Sequence, residues 1–581
     1  MRKLLLLLIL YCSSANAQTN WTSGAVEDSL THKPIAGVSV CVMNDTTCVV
    51  TNNFGLFRIQ LPKSLVQLRF ELPGYLPKTI FVKQDDRVLI ALLPVRKAMD
   101  PVAMAKARAK LSRNSNPNYS NSGMGIHTFY NETYGATFEN KFQHARLVPA
   151  SNFAVDVDRA SYSNIRRFLR LKEKVPTDAV RIEEMVNYFQ YTYPLPGAGK
   201  TIGLMGQYTT CPWEPMHRLL QIVIRATAIA MDSLPPSNLV FLIDASGSMD
   251  APNKLPLLQA AFRVLVNNLR PIDRVAIVAY ASEPQVILAS TFGDQKEKIL
   301  GAIDNLNANG ATAGEAAIKL AYQVAEQHFI SDGNNRVILA TDGDFNVGRS
   351  SDEEMEQLVT KEKESGVLLT CLGVGMKNYK DSKLKIMAAK GNGNFAYIDD
   401  LEEANKIFAR EFGSTLFTVA RDVKAEVRFN PAVVKSYRLI GYENKVLPSD
   451  NSVPDSVAGG IVGSGHCAVA LYEILPADSL HDHVDSLLAA IKVTYRRPQE
   501  AQLHELEVKL PDHCISFSEA SADHRFAASV ALFGMILRNS AYRGCGDIEM
   551  VEAMAKKSLG PDKSGYRKEF LKLVKLAGKS K

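Results

Sequence analysis

The sequence lacks the marks of several large protein classes. Beyond the first seventeen residues, no apolar run is long enough to cross a bilayer. A net charge of +6 over 581 residues is too small to point to a nucleic-acid partner, and the mixed charges read as a solvated surface. Cysteine is sparse: none of the eight stands in Cys-x-x-Cys spacing, which argues against zinc or dithiol redox chemistry. There is no Gly-x-x-x-x-Gly-Lys phosphate loop, no Gly-x-Ser-x-Gly nucleophile elbow and no His-Glu-x-x-His zinc helix. What is present is ordinary globular material, 46% apolar and long enough for several domains.

The first residues form a targeting segment. Arg2 and Lys3 supply the positive end, Leu4 to Leu10 the apolar stretch, and Ala15-Asn16-Ala17 the small-residue cleavage site. Tyr11 is too bulky for a lipobox, so cleavage after Ala17 is favoured over lipid anchoring at Cys12. The mature chain is therefore expected to be exported, to the periplasm or the cell surface, with no transmembrane span and at most peripheral membrane association. Removing Cys12 leaves an odd number of cysteines, so at least one thiol is free or bridged to another chain. A hairpin turn at Asn44-Asp45 would set Cys41 opposite Cys48, and an oxidising compartment favours a bridge there.

Composition and periodicity divide the rest. Residues 18–95 alternate as short strands with turn signals between them, the pattern of a β-sandwich. Residues 96–125 are a polar linker. Residues 126–200 restart as folded sequence, with a strand at Phe153–Asp158 and helices beginning near Ser161 and at Arg181. Asp156 and Asp158 are paired carboxylates, but no base or nucleophile accompanies them, so capping and surface bonds are their expected role. Residues 201–237 contain the strand Leu219–Arg225, expected to pair with the sheet of residues 415–515 and so to make the intervening segment an insertion. Residues 238–412 alternate strand and helix in the manner of a doubly wound parallel α/β sheet. Residues 413–581 return to strands and end in helices. The apolar helix Arg525–Arg538 is flanked by charge and reads as core, and Tyr566–Leu576 as an amphipathic helix with a solvated basic face.

The chemistry concentrates at one strand end. Leu239 to Ile243 is a continuous apolar run, as in a strand buried on both faces, and it ends in Asp244-Ala-Ser246-Gly-Ser248. Alternate spacing lets a tight turn aim three oxygens at one point. Carboxylate and hydroxyl oxygens without sulfur or imidazole suit a hard divalent cation. Two further loops follow at corresponding strand ends: Gly310-Ala-Thr312-Ala-Gly, and Thr341-Asp342-Gly-Asp344. Asp344 fits loop capping better than the ligand set. His481-Asp-His483 has metal-binding side chains but no nearby third ligand, and reads as a solvated loop.

Asp244, Ser246, Ser248, Thr312 and Asp342 together resemble the metal-ion-dependent adhesion site of von Willebrand factor type A (VWA) domains, which residues 238–412 resemble as a whole. The resemblance implies that the serines and threonine bind the metal directly while one or both aspartates act through water. The expected cofactor is Mg2+, with Mn2+ or Ca2+ as substitutes, and the expected partner is a protein presenting an acidic side chain. From residue 126 onward the chain is similar to a family of bacterial envelope VWA proteins that pair an associated N-terminal segment, the VWA domain and a family-specific C-terminal domain. Phe153-Ala-Val-Asp-Val-Asp158, Cys211-Pro-Trp213, Thr341-Asp-Gly-Asp-Phe-Asn-Val-Gly348 and Arg525-Phe-Ala-Ala528 carry that similarity. One departure is Ala458, where the family usually has an acidic residue. Pro34-Ile-Ala-Gly-Val, Asn52-Asn-Phe-Gly55 and Pro73-Gly-Tyr75 resemble a carboxypeptidase regulatory-like domain, an accessory module without peptidase chemistry. The expectation is thus a non-enzymatic, metal-dependent binding or assembly factor. Two alternatives stand beside it: a phosphatase-like hydrolase using Asp244 and Asp342, and a structural envelope protein whose metal only stabilises the fold. The hydrolase lacks the usual second aspartate, since Ser246 stands two residues after Asp244.

Overall fold

A computed structural model describes residues 21–92 and 132–579, except 29–33, 44, 46, 63–64, 74, 76, 84–85, 133, 136, 156–157, 231–232, 282, 310–313, 344–351, 377–378, 448–458, 478–485 and 499. The leader, the linker 96–125, Asp156, Thr312, Asp344, Ala458 and His481–His483 lie outside the described residues. The chain divides into two compact units, Met1–Ile126 and His127–Lys581.

The first unit holds two small sheets. Trp21–Asp28 lies between Leu56–Gln60 and Arg87–Leu92 in one; Cys48–Val50, Ser39–Val42, Leu65–Glu71 and Lys78–Lys83 follow in that order in the other. Alternation builds the shared core: Val66, Leu68 and Phe70 turn inward from one strand to meet Val26, Val40 and Ile59. Cys41 and Cys48 face each other in register and form a disulfide.

The second unit is organised around three sheets. The central one has six strands: β1 (Ser237–Asp244), β2 (Arg274–Tyr280), β3 (Pro284–Phe292), β4 (Asn334–Thr341), β5 (Leu368–Val374) and β6 (Phe395–Ile398), in the order β3-β2-β1-β4-β5-β6. All neighbours are parallel except β3 against β2. Every residue of β1 is buried, because helices cover both faces of the sheet. Leu239, Phe241 and Ile243 meet the helix α1 (Leu255–Asn267) side; Val240 and Leu242 meet the side of α2 (Gly314–Gln327), and α3 (Asp381–Lys390) covers β5 and β6. The strand order reverses between β1 and β4, the position where open α/β sheets leave a crevice at their carboxyl ends.

The other two sheets pack as a sandwich on both sides of that insertion in sequence. The strand Arg218–Ala226, just upstream of β1, pairs antiparallel with Cys467–Pro476, far downstream of β6. Thr418–Phe429 pairs with Leu487–Arg496 and with Ala150–Ala154. Leu220, Ile222, Val427, Tyr472 and Ile491 fill the space between the two sheets. The opposite face of Arg218–Ala226 contributes Leu219 and Val223 to a second core, against Ala522–Arg538 and Tyr566–Lys579. The apolar helix is therefore a core helix. No helix among the described residues is long and apolar enough to cross a membrane.

Three local expectations change. The strand expected over Phe153–Asp158 occupies Ala150–Ala154, and Asp158 instead accepts a hydrogen bond from the Phe395 amide at 3.0 Å. The helix expected from Arg181 through Phe189 is helical over Ile182–Val186, since Tyr188 and Phe189 turn into an aromatic cluster with Tyr162 and Phe526. The closing helix of the central sheet is broken: a π-turn spans Lys406–Arg410, where a fully buried Lys406 pairs with Glu411 at 2.7 Å. An inserted π-turn is how a helix redirects such a side chain without losing its neighbours.

His524, fully buried at the start of Ala522–Arg538, lies within hydrogen-bonding distance of Thr209 Oγ1 and Gln221 Oε1. Burial, aided by Arg525, pushes its pKa down to about 3. The unfolded chain then takes up a proton near the ordinary value of 6.5 that the folded chain refuses until about 3. Stability is thus lost as pH falls through that window. Urea unfolding is expected to show a loss of about 2 kcal/mol from this group between pH 7.5 and pH 5, and His524→Gln to flatten that slope.

Candidate functional site

β1 delivers Asp244 to the carboxyl edge of the sheet, and β4, its parallel neighbour, delivers Thr341 and Asp342 beside it. Both aspartates are almost fully buried, at 0% and 1% exposure. Asp244 Oδ1 accepts from the Ser246 backbone amide at 2.9 Å, which closes the tight turn after the strand. Its Oδ2 accepts from the Thr341 hydroxyl at 3.0 Å. That turn brings Ser246 Oγ within 3.0 Å of Ser248 Oγ. Ser246 is buried and Ser248 exposed, so the donors grade from a buried floor to an open rim. Gly343 sits at φ +90°, and a Cβ there would lie 2.5 Å from the Lys380 amide nitrogen, so glycine is required for the chain to turn away after Asp342.

Burial raises the pKa of Asp244, and the neighbouring charge of Asp342 adds to it, while bonds from Ser246 and Thr341 oppose the rise. Two buried carboxylates at the ends of neighbouring strands gain from a shared cation. The donor set of carboxylate and hydroxyl oxygens suits a hard divalent ion. Among the described residues no cluster of three or more His, Cys, Asp or Glu side chains is placed to hold a metal, so an ion here would rest on hydroxyls as well as on the two carboxylates.

Of the five residues expected from sequence, Asp244, Ser246, Ser248 and Asp342 stand at this edge. Thr312 lies outside the described residues; the Asn309 amide, just before its loop, donates to the Ala245 carbonyl at 2.7 Å. Two residues were not anticipated. Lys254 donates through Nζ to Asp342 Oδ2 at 2.7 Å and to the Ser248 carbonyl at 2.9 Å. Its signal in sequence was a lysine at the start of a helix, where the helix dipole disfavours positive charge. Tyr280 ends β2 directly opposite Asp244 in register, and burial followed by that carboxylate raises its pKa well above the ordinary value.

This fold and this strand-end loop define the chain as a VWA-domain protein: residues 238–410 match the model of the von Willebrand factor type A domain. Residues 128–221 match the model described as von Willebrand factor, and residues 414–579 that of "Uncharacterized protein YfbK, C-terminal". The chain is 40% identical over 461 residues to the protein named "Uncharacterized protein YfbK" of Escherichia coli (strain K12), covering 76% of this chain and 80% of that protein. It belongs to the YfbK family. A bovine (Bos taurus) protein, inter-alpha-trypsin inhibitor heavy chain H4, is 29% identical over 51% of this chain but only 32% of its own length. Among solved structures, a von Willebrand factor type A protein from Catenulispora acidiphila aligns with TM-score 0.37 and 16% identity, over 65% of this chain and 91% of that one.

Proposed function

We propose that the chain is an exported, non-enzymatic binding or assembly factor whose VWA domain grips an acidic side chain of a partner protein through a divalent cation. Asp244, Ser246, Ser248, Thr312 and Asp342 would hold that cation, Mg2+ in the first instance. The observation that carries the reading is the convergence of Asp244, Ser246, Ser248 and Asp342 at the point where the strand order reverses. VWA domains mediate protein–protein interaction, which supports a binding role. When bound, the cation supplies Lewis-acid attraction for one more oxygen ligand. The hydroxyls of Ser246 and Ser248 are neutral donors, so they leave much of its charge uncompensated toward the open rim.

The same reading assigns residues 18–95 to a carboxypeptidase regulatory-like accessory module. It treats 126–200, 201–237 and 413–581 as the frame in which the domain at 238–412 is mounted, and places the mature protein at the periplasm or cell surface. The test is capture from envelope extract by the mature chain, read by mass spectrometry with and without Mg2+. The Ser246→Ala/Ser248→Ala double variant is expected to lose at least about tenfold of any Mg2+-dependent partner. Partners held by wild type and the double variant alike, and as well in chelator as in Mg2+, would refute the metal-dependent reading. Phosphatase turnover that disappears in Asp244→Asn would favour the hydrolase.

A further inference from the structure

Lys254 reaches the candidate cation site along a path built for it. It precedes α1, six residues after Ser248, and its side chain is 12% exposed. Its methylenes run across the backbone at Gly375, which sits at φ +76° immediately after β5; a Cβ there would lie 2.7 Å from Lys254 Cε and 2.8 Å from Cγ. The Gly375 carbonyl is itself fixed by the Tyr397 hydroxyl, which donates to it. Nζ then meets two acceptors, the buried carboxylate of Asp342 at 2.7 Å and the Ser248 carbonyl at 2.9 Å. An ammonium is thus seated between a candidate metal ligand and the backbone of another.

The consequence follows from charge. Asp244 and Asp342 contribute two negative charges when both are ionised, and Lys254 one positive charge. A divalent cation bound with Lys254 in place leaves the site one unit positive, whereas without the ammonium the site would be neutral. The low dielectric of a buried sheet edge makes that unit count. The ammonium also takes part of the electron density of Asp342 that a metal or its water would use.

We infer that Lys254 is a built-in counter-cation that weakens divalent binding and leaves the loaded site with one excess positive charge, matched to a single carboxylate. This inference rests on the metal-binding reading proposed above. Lys254 acts as a positioning residue: it sets the charge and orientation of Asp342 and is not itself a ligand of the metal.

The test is a Mn2+ titration of the mature chain, following loss of the free-ion electron paramagnetic resonance signal. Lys254→Met is expected to bind Mn2+ roughly ten- to a hundredfold more tightly than wild type, whereas Lys254→Arg, which keeps the charge, stays close to it. Lys254→Gln repeats the measurement with a polar side chain, should Lys254→Met fail to fold. A merely structural role would leave both neutral variants with unchanged or weakened uptake. Tightening below about threefold in both overturns the role of Lys254 while leaving the metal site standing. No uptake by wild type or by the neutral variants overturns both readings together.

Discussion

Replacing Arg166 by methionine is expected to destabilise the protein by about 3–5 kcal/mol, the largest stability effect of any single side chain considered. Arg166 is 1% exposed and sits on the helix Ala160–Arg170, which precedes the VWA domain in sequence. Its Nε donates to Asp399 at 2.8 Å and its Nη2 to Glu403 at 2.6 Å, both at the end of the VWA segment. Its Nη1 donates to the Tyr188 hydroxyl at 2.9 Å and to Glu569 of the last helix at 3.2 Å. One guanidinium therefore ties together three stretches far apart in the chain. Methionine fills much of its volume but leaves Asp399 and Glu403 buried without their shared cation, which is where the cost arises. Denaturant unfolding, or calorimetry at fixed pH, measures it. A loss below about 1 kcal/mol would show that the network relaxes into solvent instead.

The second large effect is on ligand binding. Asp244→Asn is expected to weaken Mg2+ or Mn2+ binding by about a hundredfold or more, because it removes a buried charge at the floor of the candidate site. The substitution keeps the volume of the side chain and one acceptor oxygen, which retains the bond from the Ser246 amide, while its new amide nitrogen faces the Thr341 hydroxyl, an oxygen that can accept as well as donate. It also removes a carboxylate whose charged form burial and Asp342 already penalise. The variant should therefore fold at least as well as wild type in chelator. Its melting temperature should no longer rise with added Mg2+, whereas that of wild type should. A variant that still gains stability from Mg2+ would place the cation elsewhere.

The sequence made the central sheet legible because fully buried parallel strands have a plain signature. Leu239 to Ile243 and Val337 to Ala340 are continuous apolar runs, each ending at an oxygen-bearing turn, and helices with a clear apolar side lie between them. The pairing of Arg218–Ala226 with Cys467–Pro476 was also within reach, since an apolar strand needs partners, but the strand was expected to have none upstream and in fact also pairs antiparallel with Ile202–Thr210, whose glycines blur its alternation. The π-turn at Lys406–Arg410 was not. It depends on a lysine and a glutamate burying each other, and charged residues at that spacing ordinarily face solvent. The end of the strand at Ala154 likewise depends on where Asp158 finds a donor, on β6 more than two hundred residues away. At the site, the ligand types were visible as a motif, whereas Lys254 was not. Its role requires the bend at Gly375, which brings the chain after β5 under the lysine stem.

The measurement that bears most directly on the central proposal is anomalous diffraction from crystals of the protein soaked in Mn2+, for wild type and Asp244→Asn. The account predicts, in wild type, one strong peak about 2.0–2.3 Å from the Ser246 and Ser248 hydroxyl oxygens, with Thr312 and the two aspartates around it and an exchangeable ligand toward solvent. It predicts no such peak in Asp244→Asn. Wild-type crystals with no peak between Asp244 and Asp342, or with Thr312 turned away from that point, would contradict it.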